Sequence, residues 1–111
     1  MKILYYPDGD KGPVRDYLVS LANDRPKAFA KLALDFELLG AEGLRSGQIS
    51  VRLLDDGLWE LRRLYEGIQY RVFFCVRKGV VYLLHCIEKK SAKTPSKDLK
   101  LAHNRLRRIM I

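Results

Sequence analysis

Three runs rich in β-branched and aromatic residues, Leu58 to Tyr65, Ile68 to Arg77 and Val80 to Lys89, are separated by two residues each, Glu66-Gly67 and Lys78-Gly79. Spacers that short suit tight hairpins, so three consecutive antiparallel strands are the first constraint on the fold. In the second run Ile68, Tyr70, Val72, Phe74 and Val76 share one face, and Gln69, Arg71, Phe73, Cys75 and Arg77 share the other. The third run is apolar on both sides for most of its length, as in a central strand covered on both faces.

Helices and a further strand surround these runs. Lys2 to Tyr6 reads as a short strand that stops at Pro7-Asp8-Gly9. Pro13 opens a helix with Val14, Tyr17, Leu18, Leu21 and Ala22 on one face. Pro26 opens a second, with a stripe running from Ala28 and Phe29 to Phe36 and Leu39, ended by Gly40 and Gly43. Ile49 to Leu54 is either loop or irregular strand, and Asp55-Asp56-Gly57 is a turn. Thr94 is placed to cap a last helix and Pro95 to begin it; Leu99, Ala102, Leu106 and Ile109 form its apolar stripe. The expected architecture is α+β in the order βααβββα, a single domain over residues 1–111. Its mostly antiparallel sheet carries the helical hairpin on one face. The last helix lies on the sheet edge or against a partner.

The chain carries a formal net charge of +8, and its location is informative. Residues 1–50 hold seven basic and seven acidic side chains, whereas residues 51–111 hold 14 and six. The second half is therefore the side that draws a polyanion or an acidic partner. Cys75 and Cys86 lie inside apolar runs and read as buried thiols of an intracellular protein, with a bridge between them as the alternative. No CxxC or HExxH pattern is present, and His85 and His103 are too isolated for a metal site, so no metal or cofactor is expected. Lys2 leads into only four apolar residues, which makes no signal peptide, and no run reaches the roughly 20 residues of a membrane span. A cytoplasmic protein with no membrane partner is the expectation.

Glu60 and Arg62 are two apart on a strand and so share a face, with Trp59 and Leu61 turned to the other. The next strand adds Arg71, and Lys89 and Lys90 close the third. Together they would place several fixed positive charges in one cleft. Each also has a plainer reading: a surface salt bridge for Glu60 with Arg62, and a solubilising strand end for the lysines. His85 is either a buried histidine satisfied by one hydrogen bond or, if it faces the cleft, an ordinary general base. Tyr70 and Phe73 are candidates for stacking bases as well as for packing.

The ordered strings Gly57-Leu58-Trp59-Glu60-Leu61-Arg62, Gly67-Ile68-Gln69-Tyr70-Arg71-Val72-Phe73-Phe74, Leu83-Leu84-His85 and Lys89-Lys90-Ser91-Ala92-Lys93-Thr94-Pro95 resemble the phage-derived, HigB-like branch of the RelE/ParE toxin superfamily. The resemblance spans roughly residues 1 to 109. It implies a RelE/ParE-like fold and the toxin of a type II toxin–antitoxin module, a ribosome-dependent endoribonuclease that cuts translated mRNA. The implied chemistry is metal-independent: the RNA 2′-hydroxyl attacks the adjacent phosphate and leaves a cyclic phosphate. The implied partners are the ribosome, mRNA and a cognate antitoxin containing a helix-turn-helix.

By the same resemblance, Arg71 is similar to the main phosphate-stabilising arginine, and Arg62 to a basic residue that orients or activates the nucleophile. Lys89 or Lys90 is similar to the residue that assists the leaving group. Lys93, Lys97, Lys100, Arg107, Arg108 and Tyr70 are the expected RNA or ribosome contacts. The chain departs from better-studied relatives at Glu60, where they carry a basic residue, and at Ser96, near which they often carry an aromatic. Glu60 is thus either a base or the partner of Arg62. Inhibition of DNA gyrase, as by ParE-like members, and non-catalytic nucleic-acid regulation are the alternative functions.

Overall fold

The computed structural model describes residues 1–89 and 93–110. Strand β1 (Lys2–Tyr5) leads into helices α1 (Pro13–Asp24) and α2 (Pro26–Glu42), and a 3-10 turn at Gly43–Arg45 follows. Strands β2 (Ser50–Asp55), β3 (Leu58–Tyr65), β4 (Ile68–Arg77) and β5 (Val80–Lys89) come next, and α3 (Ser96–Met110) is last. The sheet order is β1-β5-β4-β3-β2. β1 runs parallel to β5, and the other three pairings are antiparallel. The result is an α+β fold with a mixed sheet, N-terminal helices and a C-terminal helix.

The hairpins form as their two-residue turns require. Asp56-Gly57, Glu66-Gly67 and Lys78-Gly79 all have positive φ, with the glycines between 75° and 81°. Paired left-handed residues match the right-handed twist of the strands they join. The turn at Glu66-Gly67 sets Tyr65 opposite Ile68, and counting back from it places Arg62 directly opposite Arg71.

Of the two readings of Ile49 to Leu54, the irregular strand holds: Ser50–Asp55 is an edge strand that pairs Arg52 with Glu60 and Ser50 with Arg62, with a register shift between Leu53 and Asp55. The docking of the last helix needs correction. The last helix packs on the second face of the sheet, not on its edge. There Ala102 and Leu106 meet Leu58, Phe73, Cys75, Leu84 and Ile87. The helical hairpin covers the first face, where Val14, Leu18 and Leu32 join Leu61, Val72, Phe74 and Leu83 in a separate core. Burying one such Leu or Phe is worth about 1.5–3 kcal/mol, so two apolar faces need two covers. Both thiols are free: Cys75 lies in the α3-side core and Cys86 borders the hairpin-side core, so the sheet separates them. Burial pushes the Cys75 thiol up to about 11.

The prolines start α1 and α2 as expected. α2 continues through Gly40 and stops at Gly43, whose φ is 77°. Gly12 precedes α1 at a close approach: a Cβ there would sit 1.8 Å from the Tyr6 carbonyl oxygen. At the other end of the chain, Pro95 precedes α3 rather than opening it, and its carbonyl accepts the Leu99 N–H at 3.2 Å. Thr94 is not the cap; its hydroxyl is engaged elsewhere. Among the described residues no helix is long and apolar enough to cross a membrane.

Candidate functional site

A charged cluster lies on the α3 side of the sheet, at the center of β2, β3 and β4. Glu60 is fully buried. Its Oε1 accepts from Arg62 Nε at 2.5 Å and from Arg52 Nε at 3.2 Å, while its Oε2 accepts from the Thr94 hydroxyl at 3.1 Å. Arg71 is fully buried too, and its Nη1 donates to Thr94 Oγ1 at 2.8 Å. Thr94 therefore bridges a buried guanidinium and a buried carboxylate.

Regular strand geometry builds this cluster. Residues 60 and 62 share a face, the β3–β4 register opposes Arg62 to Arg71, and the β2–β3 register opposes Arg52 to Glu60. Like charges directly across a sheet repel. Burial, followed by the Arg62 charge, pulls the Arg71 guanidinium below the usual arginine value, while Glu60 opposes that shift. Three guanidiniums around one carboxylate leave a local excess of two positive charges, which suits an anion with several oxygens.

Beside the cluster is an open groove of about 430 Å³ lined by Arg52, Leu54, Asp55, Lys93, Thr94, Leu99 and His103. Arg52 and Lys93 are exposed there. His103 stands 3.8 Å from Asp55, a contact that fits a surface residue. Sequence reading missed Arg52 and assigned Thr94 to a cap. Alternation along Ser50–Asp55 carried a signal for Arg52. Nothing local marks Thr94, which meets partners 34 and 23 residues away.

The other expected site residues fall as follows. His85 is on the α3 side, stacked on Phe73 with ring centroids 6.0 Å apart, and its Nε2 lies 2.8 Å from Asp98 Oδ1. That contact joins β5 to the first turn of α3, so the histidine is engaged rather than open to the groove. A register shift between Phe73 and Phe74 leaves Leu84 as the extra residue of β5 and brings His85 to this face. Phe73 is fully buried under α3 and offers no surface for a base. Lys89 pairs with Gln69 at the end of β5, one step along the same face from Arg71. Lys90 lies outside the described residues. Lys93, Lys97, Lys100 and Arg107 are exposed. Arg108 is exposed as well, but its Nη1 donates to the Tyr6 hydroxyl at 3.0 Å.

Tyr70 is corrected. It is 1% exposed and faces the hairpin, across the sheet from the arginine cluster. Its hydroxyl accepts from Arg25 Nη1 at 3.0 Å, and the Arg25 guanidinium lies 5.7 Å from its ring center. The alternation that puts Arg71 on one face puts Tyr70 in the opposite core.

Two ion-pair networks on the hairpin side tie helices to the sheet. Arg63 on β3 donates to the buried Asp35 of α2 through Nε at 2.9 Å and through Nη2. Arg25 donates to both Glu88 oxygens at 2.8 Å, and the Tyr17 hydroxyl donates to the same carboxylate. Burial alone would raise the Glu88 value, but the Arg25 and Tyr17 bonds outweigh it and the net shift is downward. A depressed carboxylate adds stability that is present above its unfolded value, about 4.3, and is lost as pH falls through the folded value. Acid unfolding followed by circular dichroism should therefore show a flatter acid limb for Glu88→Gln than for wild type. An unchanged limb would mean that the pair contributes nothing.

Comparison with curated proteins and with solved structures finds no match. The family model described as "Phage derived protein Gp49-like (DUF891)" matches residues 16–107, from α1 through most of α3, and the chain belongs to this family.

Proposed function

We propose that this Gp49-like chain is a HigB-like member of the RelE/ParE superfamily and the toxin of a type II toxin–antitoxin module. It acts in the cytoplasm as a ribosome-dependent endoribonuclease on translated mRNA. The observation that carries this reading is Arg62 set against Arg71 around buried Glu60, with Arg52 alongside. In-line attack at phosphorus builds negative charge on phosphate oxygens. Guanidiniums fixed on rigid strands stabilise that charge better than mobile ammonium groups do. Arg62 and Arg52 keep solvent exposure, with 23% and 57% of their side chains accessible, and so are the groups a phosphate meets first. Arg71 backs them from below. Lys89 is the described candidate for assisting the leaving group. His85, held by Asp98, fastens α3 over the sheet.

Expression from a tight promoter with mapping of transcript 5′ ends tests the function. Cuts within translated codons are expected. DNA damage with intact transcripts would instead point to gyrase.

The exposed cations of α3 supply the long-range attraction for ribosomal RNA and for an acidic surface of the helix-turn-helix antitoxin. Neutralising Lys97, Lys100 and Arg107 together should slow association with both partners. Losing three phosphate contacts should flatten the slope of log affinity against log salt for ribosomes by about 2. Arg108 is left in place because it also holds Tyr6. Unchanged rates and slope would reduce these charges to a solvated face.

A further inference from the structure

Strand β5 carries one residue more than the stretch of β4 opposite it. Phe73 pairs with His85 and Phe74 with Leu83, and Leu84 between them has no opposite residue in β4. A bulge of this kind breaks the ladder at the extra residue. Here α3 supplies the missing partner: Arg105 Nη1 donates to the Leu84 carbonyl oxygen at 2.8 Å. The same guanidinium lies 5.4 Å from the center of the buried Tyr6 ring. Leu84 is fully buried, so its carbonyl depends on a protein donor rather than on water. The bulge also decides what β5 presents beyond it. As the strand stands, Ile87 opposes Arg71, Glu88 opposes Tyr70 and Lys89 opposes Gln69. Lys89 therefore shares the face of Arg71, and Glu88 takes the other, where Arg25 and Tyr17 bind it. A slip of one residue that closed the bulge would set Cys86 opposite Arg71 and Glu88 opposite Gln69, replacing an ammonium with a carboxylate beside the arginines. The apolar pattern gives little resistance to that slip, because Leu83, Leu84, Cys86 and Ile87 suit either side. Polar contacts must hold the register. His85 with Asp98 and Glu88 with Arg25 hold the flanks, and Arg105 holds the extra residue itself.

We propose that Arg105 is a positioning residue: it clamps the Leu84 bulge and so holds His85 to Lys89 in the register that gives Lys89, not Glu88, to the candidate site. The inference rests on the nuclease reading for the work that Lys89 does there, and it adds a residue of α3 to that reading. Its consequence for phosphate chemistry is one of sign. In the observed register an ammonium stands on the face of Arg62 and Arg71 and attracts a phosphate; in the slipped one a carboxylate stands there and repels it. Arg105 acts through the strand and not on the phosphate. It differs in this from Lys97, Lys100 and Arg107, which α3 leaves exposed.

The test compares wild type with Arg105→Met, which keeps the length of the side chain but loses the donor, and with Arg105→Lys, which keeps a donor. Cross-strand contacts are read by NMR on the full chain, and thermal unfolding checks that each variant is folded. Wild type should show Tyr70 beside Glu88 and Gln69 beside Lys89. Arg105→Met should add a second set with Gln69 beside Glu88. Its amide exchange from His85 to Lys89 should be faster by about tenfold or more, the worth of one hydrogen bond from a charged donor, while β2 and β3 exchange as in wild type. Arg105→Lys should return both readouts toward wild type. A folded Arg105→Met with wild-type contacts alone and unchanged exchange overturns the clamp. Single-turnover cleavage on programmed ribosomes reads the link to Lys89. Arg105→Met should slow it about tenfold in the wild-type background, but only about twofold or less in a Glu88→Gln, Lys89→Met background, which has no charge left to exchange. An equal loss in both backgrounds would mean general loosening and overturn the positioning role. The two readings fail separately: if wild type does not cut, the nuclease reading falls, and the contacts and exchange rates still decide the clamp.

Discussion

Replacing Glu60 with alanine is expected to cost about 3–5 kcal/mol of stability, the range found when one partner of a buried ion pair is removed. The carboxylate accepts from Arg62, Arg52 and Thr94 and is fully buried. Without it, Arg62 and Arg71 oppose each other directly across β3 and β4. Arg52 adds little to that cost, since 57% of its side chain is exposed and solvent screens its charge. A loss of this size consumes a large part of the stability of a chain this long. Glu60→Gln keeps the shape and some of the bonds, so its cost should be smaller, about 1.5–3 kcal/mol. Urea unfolding of both variants measures the difference. A near-neutral Glu60→Ala would mean that the arginines find other compensation.

The opposite pattern is expected at Arg71. Methionine fills a similar space without charge, removes the repulsion with Arg62, and leaves Glu60 bonded to Arg62 and Arg52. Arg71→Met should therefore stay within about 1.5 kcal/mol of wild type. Its effect on the proposed chemistry should be large, a loss on the order of 100- to 1,000-fold, as for removal of one preorganised donor at a developing charge. Arg71→Lys should recover little, because the ammonium keeps the charge but cannot present the planar fork. Stability and activity are thus expected to separate at this position.

The sheet was legible where local rules dominate. Two-residue spacers with glycine imposed the β3–β4–β5 hairpins, and from the Glu66-Gly67 turn the Arg62–Arg71 pairing follows by register alone. Prolines marked the starts of α1 and α2. β2 was ambiguous because it is an edge strand with exposed Arg52, Leu53 and Asp55, so its apolar signal is weak. The stripe Leu99, Ala102, Leu106 and Ile109 identified α3 but not where it docks. The matching signal was the second apolar face of the sheet, Phe73 and Cys75 with Leu84.

At the site, strand alternation brought out Glu60, Arg62 and Arg71. The role of Thr94 depends on how the chain returns over the sheet after β5, which no spacing encodes. The α3-side placement of His85 depends on an extra residue in β5, Leu84, and hence on a local break of the alternation that sequence reading relies on. Tyr70 shows the reverse error: its own alternation already assigned it to the core, and the aromatic ring suggested a base-stacking role that its burial excludes.

Single-turnover cleavage of a defined mRNA on programmed ribosomes, comparing purified wild type with Arg71→Met of verified fold, shows whether the arginine cluster carries the cleavage. The expected result is cleavage within the translated codon by wild type, with 2′,3′-cyclic phosphate ends, and a rate at least about 100-fold lower for the variant. Cleavage at the wild-type rate by the folded Arg71→Met protein would contradict it.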